Sequence, residues 1–315
     1  MLDYLKLFRF PNLIIIALIL YLMRYLVIEQ LLVTNGLVLQ MSAFDFSLLV
    51  LATLMITAAG YAINDYFDTK VDLKNRPDKI VVGRTIKRRV AMVLHVVMSA
   101  IGILIGIFIA LKNHLYELAL INFFTVVLLW FYSTRFKHQL IIGNLIISML
   151  AALVALIVGL YELPLLRKLS PEIVNTPEYK LIWFWIIGYS IFAFVATLAR
   201  EIIKDSEDVE GDKQYGSVTV AVRYGLEKTK YVVICIVAIM VLSIAYLQFL
   251  FFSDWQAVVY ISILIHIPLF FLIWTIIKAA DPKDYHRASW IMKFVMVAGI
   301  VFSAVVEPRL AIFGL

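Results

Sequence analysis

The stretch TLMITAAGYAINDYFDTKVD, residues 53–72, begins as an apolar run fit for a membrane interior and ends in three aspartates, Asp65, Asp68 and Asp72. The same spacing recurs in KDSEDVEGD, residues 204–212, as Asp205, Asp208 and Asp212. On an α-helix the offsets 0, 3 and 7 fall at about 0°, 300° and 340°, so each trio predicts one acidic stripe about 10 Å long. Such a stripe repels itself. Unless solvated, it calls for hard divalent cations, and two facing stripes would suit a pair of Mg²⁺ ions bridged by a diphosphate.

Composition says where this chemistry sits. Of 315 residues, 63% are hydrophobic and 16% charged, and the mean hydropathy is +0.95, whereas a soluble chain carries about 25% charge. The expected fold is an all-α polytopic membrane protein, a transmembrane helix bundle forming a single domain over residues 1–315. Runs long enough to cross about 30 Å of hydrocarbon fall near 10–28, 44–66, 90–111, 115–134, 140–160, 181–203, 231–252, 256–278 and 290–307, nine in all. The first contains Arg24 and has no small-residue cleavage site behind it, so it reads as a retained helix. A lone cysteine, Cys235, excludes an intrachain disulfide framework and reads as a small buried hydrophobe.

Charge asymmetry orients the bundle. With the N-terminus inside, 20 of the 28 Lys and Arg residues flank the inner ends of the runs and 5 the outer ends, which predicts a cytoplasmic N-terminus. The same basic loops, lying against anionic headgroups, account for the net charge of +6 without nucleic acid. Both acidic stripes then fall on the cytoplasmic side, at the ends of the second and sixth runs. Aspartates at membrane depth cost about 3 kcal/mol each unless paired or coordinated, so six at one end of a bundle mark a functional site.

Basic residues accompany them. KNRPDKIVVGRTIKRR, residues 74–89, offers Arg76, Lys79 and Arg84, with Lys87, Arg88 and Arg89 better read as an ordinary inside loop. YSTRFKH closes the fourth run with Tyr132, Arg135 and Lys137, and Arg200, Lys204 and Arg223 flank the second stripe. Cations facing carboxylates are what a diphosphate requires, because its charge must be cradled and then stabilised as it leaves. Near the start, RFPN places Arg9 and Asn12 at the inner mouth of the first helix, where they could hold a polar head or anchor the interface. His95, His266, Asn122 and Glu117 lack metal-ligand spacing and read as packing or interface residues.

NDYFDTKVD resembles the NDxxDxxxD signature of the UbiA-type intramembrane prenyltransferase superfamily, and DSEDVEGD resembles its second aspartate-rich signature. The resemblance covers nearly the whole chain. It implies Mg²⁺-dependent transfer of an isoprenyl group from a prenyl diphosphate to a lipophilic acceptor, inside a central cavity of the nine-helix bundle that opens laterally to the lipid of a bacterial or archaeal cell membrane. REIIKDSEDVEGD and YSTRFKHQLIIGNLI look most like geranylgeranylglyceryl-phosphate geranylgeranyltransferases, which attach a second prenyl ether to a glycerol phosphate lipid, whereas NRPDKIVVGRTI departs from the NRPxPSG pattern of relatives. The branches that prenylate 4-hydroxybenzoate or dihydroxynaphthoate share the aspartates and remain an alternative.

On this reading Asn64, Asp68 and Asp72, opposite Asp205, Asp208 and Asp212, hold two Mg²⁺ ions. Lys137 neutralises the leaving diphosphate, and Asp65 ligates, orients or acts as a base. Asn64, Arg76, Lys79, Arg84, Tyr132, Arg200, Lys204, Arg9 and Asn12 are the expected substrate contacts. A cation-coupled transporter would place its carboxylates near the midplane on broken helices rather than at helix ends beside a basic cluster. The DGxxAR-type signature of CDP-alcohol phosphotransferases follows neither stripe.

Overall fold

Backbone that crosses hydrocarbon must satisfy its own hydrogen bonds, and the apolar runs do so as helices. A computed structural model describes residues 2–33, 36–75, 80–252 and 254–305. Among these, nine helices are long and apolar enough to span a membrane. They are α1 (Phe10–Val33), α2 (Ala43–Asn75), α3 (Arg88–Lys112), α4 (Tyr116–Thr134), α5 (Ile142–Leu169), α6 (Pro177–Glu207), α7 (Leu226–Phe251), α8 (Trp255–Lys278) and α9 (Pro282–Val305). The chain is an integral membrane protein of nearly all-helical build, and among the described residues the one extended pairing is an isolated bridge between Val82 and Ile86.

Starts and irregularities have local causes. Thr176 and Asp254 cap α6 and α8, accepting from the backbone N–H of Tyr179 at 3.3 Å and Ala257 at 3.1 Å. Both α1 and α8 widen to a π segment, at Met23–Ile28 and Ser262–His266. In α8 the segment precedes Pro268, whose missing N–H interrupts the regular ladder.

The helix α6 lies at the hub, packed against α5, α7 and α9, while α2 packs against α3 and α4. Its Ile182, Ile186, Ile202 and Ile203 are fully buried against a core that includes Tyr161, Leu163, Leu272 and Val295. Two residues read as packing groups are just that. His95 Nδ1 meets the Ala59 carbonyl at 3.0 Å, and Asn122 donates to the Gly102 carbonyl at 3.0 Å. A Cβ at Gly106 would lie 2.1 Å from Asn122 Nδ2, so glycine is what lets α3 and α4 approach there. The reading of Cys235 as buried is corrected: it is exposed on α7. Lipid-facing positions are as apolar as core positions in a membrane protein, so an apolar neighbourhood does not report burial.

Polar side chains gather at the two ends of the bundle. At one end the buried Arg24 guanidinium donates to the Met41 carbonyl, lies 3.9 Å from Glu162 and stacks 4.3 Å over the Phe46 ring. Glu162 in turn accepts from the backbone N–H of Gln40 and Met41. The other end carries both aspartate trios.

Candidate active site

The first stripe is continuous because α2 runs past the membrane span as far as Asn75, carrying Asp65, Asp68 and Asp72 on one helix. The second is not one stripe, which corrects the expectation from spacing. Helix α6 ends at Glu207; Asp208 leaves helical geometry at φ −97°, ψ 8°, and Asp212 rides on a separate short helix, Val209–Gln214. That short helix packs against α2, so the break turns Asp212 toward the first trio. Burial, then the carboxylates of Asp208 and Asp68, raise the Asp212 carboxyl to about 7.

Cross-helix bonds fix the rest. Lys137, in the turn after α4, pairs with Asp68 Oδ1, and both side chains are mostly buried. Asn64 donates to Asp68 Oδ2 at 2.6 Å, leaving its own Oδ1 buried and without a partner. Asn144, at the start of α5, donates to Asp205 Oδ2 at 2.8 Å. Arg9 adopts φ 49°, ψ 52°, a left-handed conformation that costs a non-glycine residue about 1–2 kcal/mol. From there its guanidinium donates to Asp65 Oδ1 at 3.1 Å and covers the Tyr61 ring at 4.7 Å. Tyr132 is half-buried among the charges of Glu201, Asp68, Asp205 and Arg9.

Arg200 and Lys204 are both tied to Glu201, at 3.2 and 3.0 Å. Asn12 donates to Tyr61 Oη at 3.4 Å and accepts from Lys293 at 2.9 Å. Arg84 is different: it stands exposed on the turn between Val81 and Ile86, whose apolar side chains pack on Leu7 and Ala62. Arg76 and Lys79 lie outside the described residues. Sequence reasoning missed Glu201, Asn144 and Lys293. A signal existed for each, since all three are polar residues set in or beside apolar runs at the end where the aspartates gather.

Among the described residues no three carboxylate, His or Cys side chains converge as metal ligands would. Like-charged oxygens have no reason to close together without a cation, and here Lys137 supplies the positive charge at Asp68. The orphaned Asn64 oxygen beside two carboxylate-rich elements is nonetheless the hard, oxygen-only donor set that Mg²⁺ takes. Grooves of about 430 Å³ between α8 and α9 and about 490 Å³ beside Tyr66 and Arg88 contain none of these aspartates. The polar cluster, rather than either groove, marks the site.

One contact makes the placement of Lys137 testable without touching a charge. A Cβ at Gly143 would lie 2.7 Å from the Lys137 Cα and 2.9 Å from the Phe136 carbonyl, both backbone atoms that cannot rotate away. Gly143→Ala should therefore displace Lys137 and lower turnover by about tenfold or more, because small misplacements of a binding group are costly. Unchanged kinetics with a saturating donor and with a limiting one would show that the turn need not hold its position.

The family model described as the UbiA prenyltransferase family matches residues 13–299. Over 185 residues the chain is 33% identical to a digeranylgeranylglyceryl phosphate synthase of Methanothermobacter thermautotrophicus, a match covering 58% of each chain and so less than two thirds of that relative. A solved structure reported under mechanistic work on digeranylgeranylglyceryl phosphate synthase in membranes superposes with a TM-score of 0.60 at 23% identity, covering 96% of this chain and 97% of that one. A UbiA homologue from Archaeoglobus fulgidus, bound to GPP and Mg²⁺, gives 0.53 at 18% identity over 96% of this chain and 100% of its own. The two structures establish the shared fold.

Proposed function

The chain belongs to the UbiA prenyltransferase family, and from that premise we propose that it transfers a geranylgeranyl group from its diphosphate to geranylgeranylglyceryl phosphate in a Mg²⁺-dependent reaction. The observation that carries the proposal is the joining of two aspartate-bearing elements around one cationic side chain: Lys137 grips Asp68 on α2, and Asp212 from the α6 side answers to Asp68. The name of the Methanothermobacter relative supports the choice of acceptor, and the Archaeoglobus homologue bound to GPP and Mg²⁺ supports the donor and metal.

Asn64, Asp68 and Asp72 with Asp205, Asp208 and Asp212 would hold Mg²⁺, two ions in our reading. When bound, the metal neutralises the diphosphate as it becomes a leaving group. The chain's own groups do the remaining work. Lys137, mostly buried, binds the diphosphate oxygens that accumulate charge as the bond to the prenyl C1 breaks and its electron pair departs with the diphosphate. Tyr132, half-buried among Glu201, Asp68 and Asp205, supplies an aromatic face near the carboxylates, suited to an allylic cation from which water is kept away. The acceptor hydroxyl oxygen then bonds to C1 and gives up its proton. Asp65, held by Arg9 one helical turn from Asp68, is assigned to receive it. The charge bias supports a cytoplasmic setting for this end of the bundle.

The test is a competition in which purified protein, Mg²⁺ and geranylgeranyl diphosphate meet equal amounts of 4-hydroxybenzoate, dihydroxynaphthoate and geranylgeranylglyceryl phosphate. We expect a dialkyl glycerol phosphate as the main product. A prenylated aromatic as the main product would overturn the acceptor and leave the diphosphate half of the mechanism in place.

A further inference from the structure

Away from the Lys137–Asp68 pair, on the α1, α6 and α9 side of the same polar end, lies a second cationic group. Lys293 sits within α9, its ammonium donating to the neutral Asn12 side chain at 2.9 Å and standing 5.2 Å from the Trp290 ring centre. No carboxylate lies within ion-pair distance of it among the described residues. Its charged neighbour is Arg200, a like charge. Arg200 spends one guanidinium nitrogen on Glu201 and keeps Nε buried without a partner. Glu201 answers the charge of Arg200, but the Lys293 ammonium meets only a neutral amide and a like charge, an arrangement that a bound anion would relieve.

We propose that Lys293, Arg200 and Asn12 form a binding site for the phosphate monoester of the acceptor lipid, separate from the carboxylate site that receives the donor diphosphate. The assignment rests on the acceptor reading above and deepens it. Glu201 pairs with Arg200 and interacts with the charge of Arg9, which in turn holds Asp65, so an acceptor anchored by its phosphate at Arg200 would present its glycerol hydroxyl toward Asp65. An ammonium and a guanidinium with a free N–H match the oxygens of a phosphate better than the carboxylate of an aromatic acid, which one cation satisfies. Asn12 and Arg200 are legible as substrate contacts in the sequence, but Lys293 is not, because it stands 281 positions from Asn12.

The experiment measures binding without turnover. A prenylglycerol phosphate, the matching prenylglycerol lacking phosphate, and inorganic phosphate are titrated into detergent-solubilised wild type, Lys293→Met and Lys293→Arg, with binding of a non-hydrolysable prenyl diphosphate analogue as the fold check. Wild type should prefer the lipid phosphate to the alcohol by at least about tenfold, as for loss of a charge-assisted contact. Lys293→Met should abolish that preference, Lys293→Arg should restore most of it, and all three should bind the diphosphate analogue alike. Preference retained in Lys293→Met overturns the site while the proposed reaction stands. Failure of wild type to discriminate phosphate from alcohol overturns the site, and an aromatic main product in the competition overturns the acceptor reading on which the site rests. Inorganic phosphate competing as well as the lipid phosphate would overturn a lipid-headgroup site in favour of a plain anion site.

Discussion

Asp68→Ala and Asp208→Ala should each lower prenyl transfer by at least about 10²-fold, the scale on which loss of preorganised electrostatic stabilisation is felt. Asp68 receives both the Lys137 ammonium and the Asn64 amide, and Asp208 stands where α6 breaks toward the short helix that meets α2. Asp208→Ala also relieves repulsion with Asp212 and is expected to remain folded and membrane-inserted, whereas Asp68→Ala leaves the mostly buried Lys137 ammonium without its carboxylate and is expected to lose some stability as well. Turnover and thermal stability belong on the same preparations. If both variants keep more than about a tenth of the activity, the carboxylates are not the diphosphate cradle.

Lys137→Ala is expected to reduce kcat/KM for the prenyl diphosphate by about 10²-fold, because a mostly buried ammonium facing a polyanion is strongly coupled to it. Arg88→Ala provides the contrast. That side chain is exposed, covers the Tyr66 ring at 4.4 Å and donates to the Tyr66 carbonyl at 3.3 Å, on the outside of α2. Its loss should change the kinetics little. Equal, small effects from both substitutions would mean that the basic residues serve topology alone.

The spans were legible because an apolar run of sufficient length has few alternatives once it enters lipid, and all nine appear. What hydropathy could not convey was which side of each helix faces protein. Cys235 shows this: its apolar neighbours face lipid as comfortably as they would face a core. The first aspartate trio was readable as a stripe because nothing interrupts α2. KDSEDVEGD contains no proline to announce a break, so the turn at Asp208 is visible only in three dimensions. Asn144 reaches Asp205 across 61 positions, and Lys293 reaches Asn12 across many more. No local pattern carries those pairings. Lys137 was found because it follows directly on an apolar run, at the same end as the acids.

The cluster of Arg24, Glu162 and Phe46 acts as a lock at the far end of the bundle. Separating a fully buried arginine from its carboxylate leaves an uncompensated charge in hydrocarbon, at a cost of about 3–5 kcal/mol. Through the Arg24–Met41 and Glu162–Gln40 bonds that lock ties α1, the segment leading into α2, and α5 to one another, so the bundle is stapled at the end away from its aspartates.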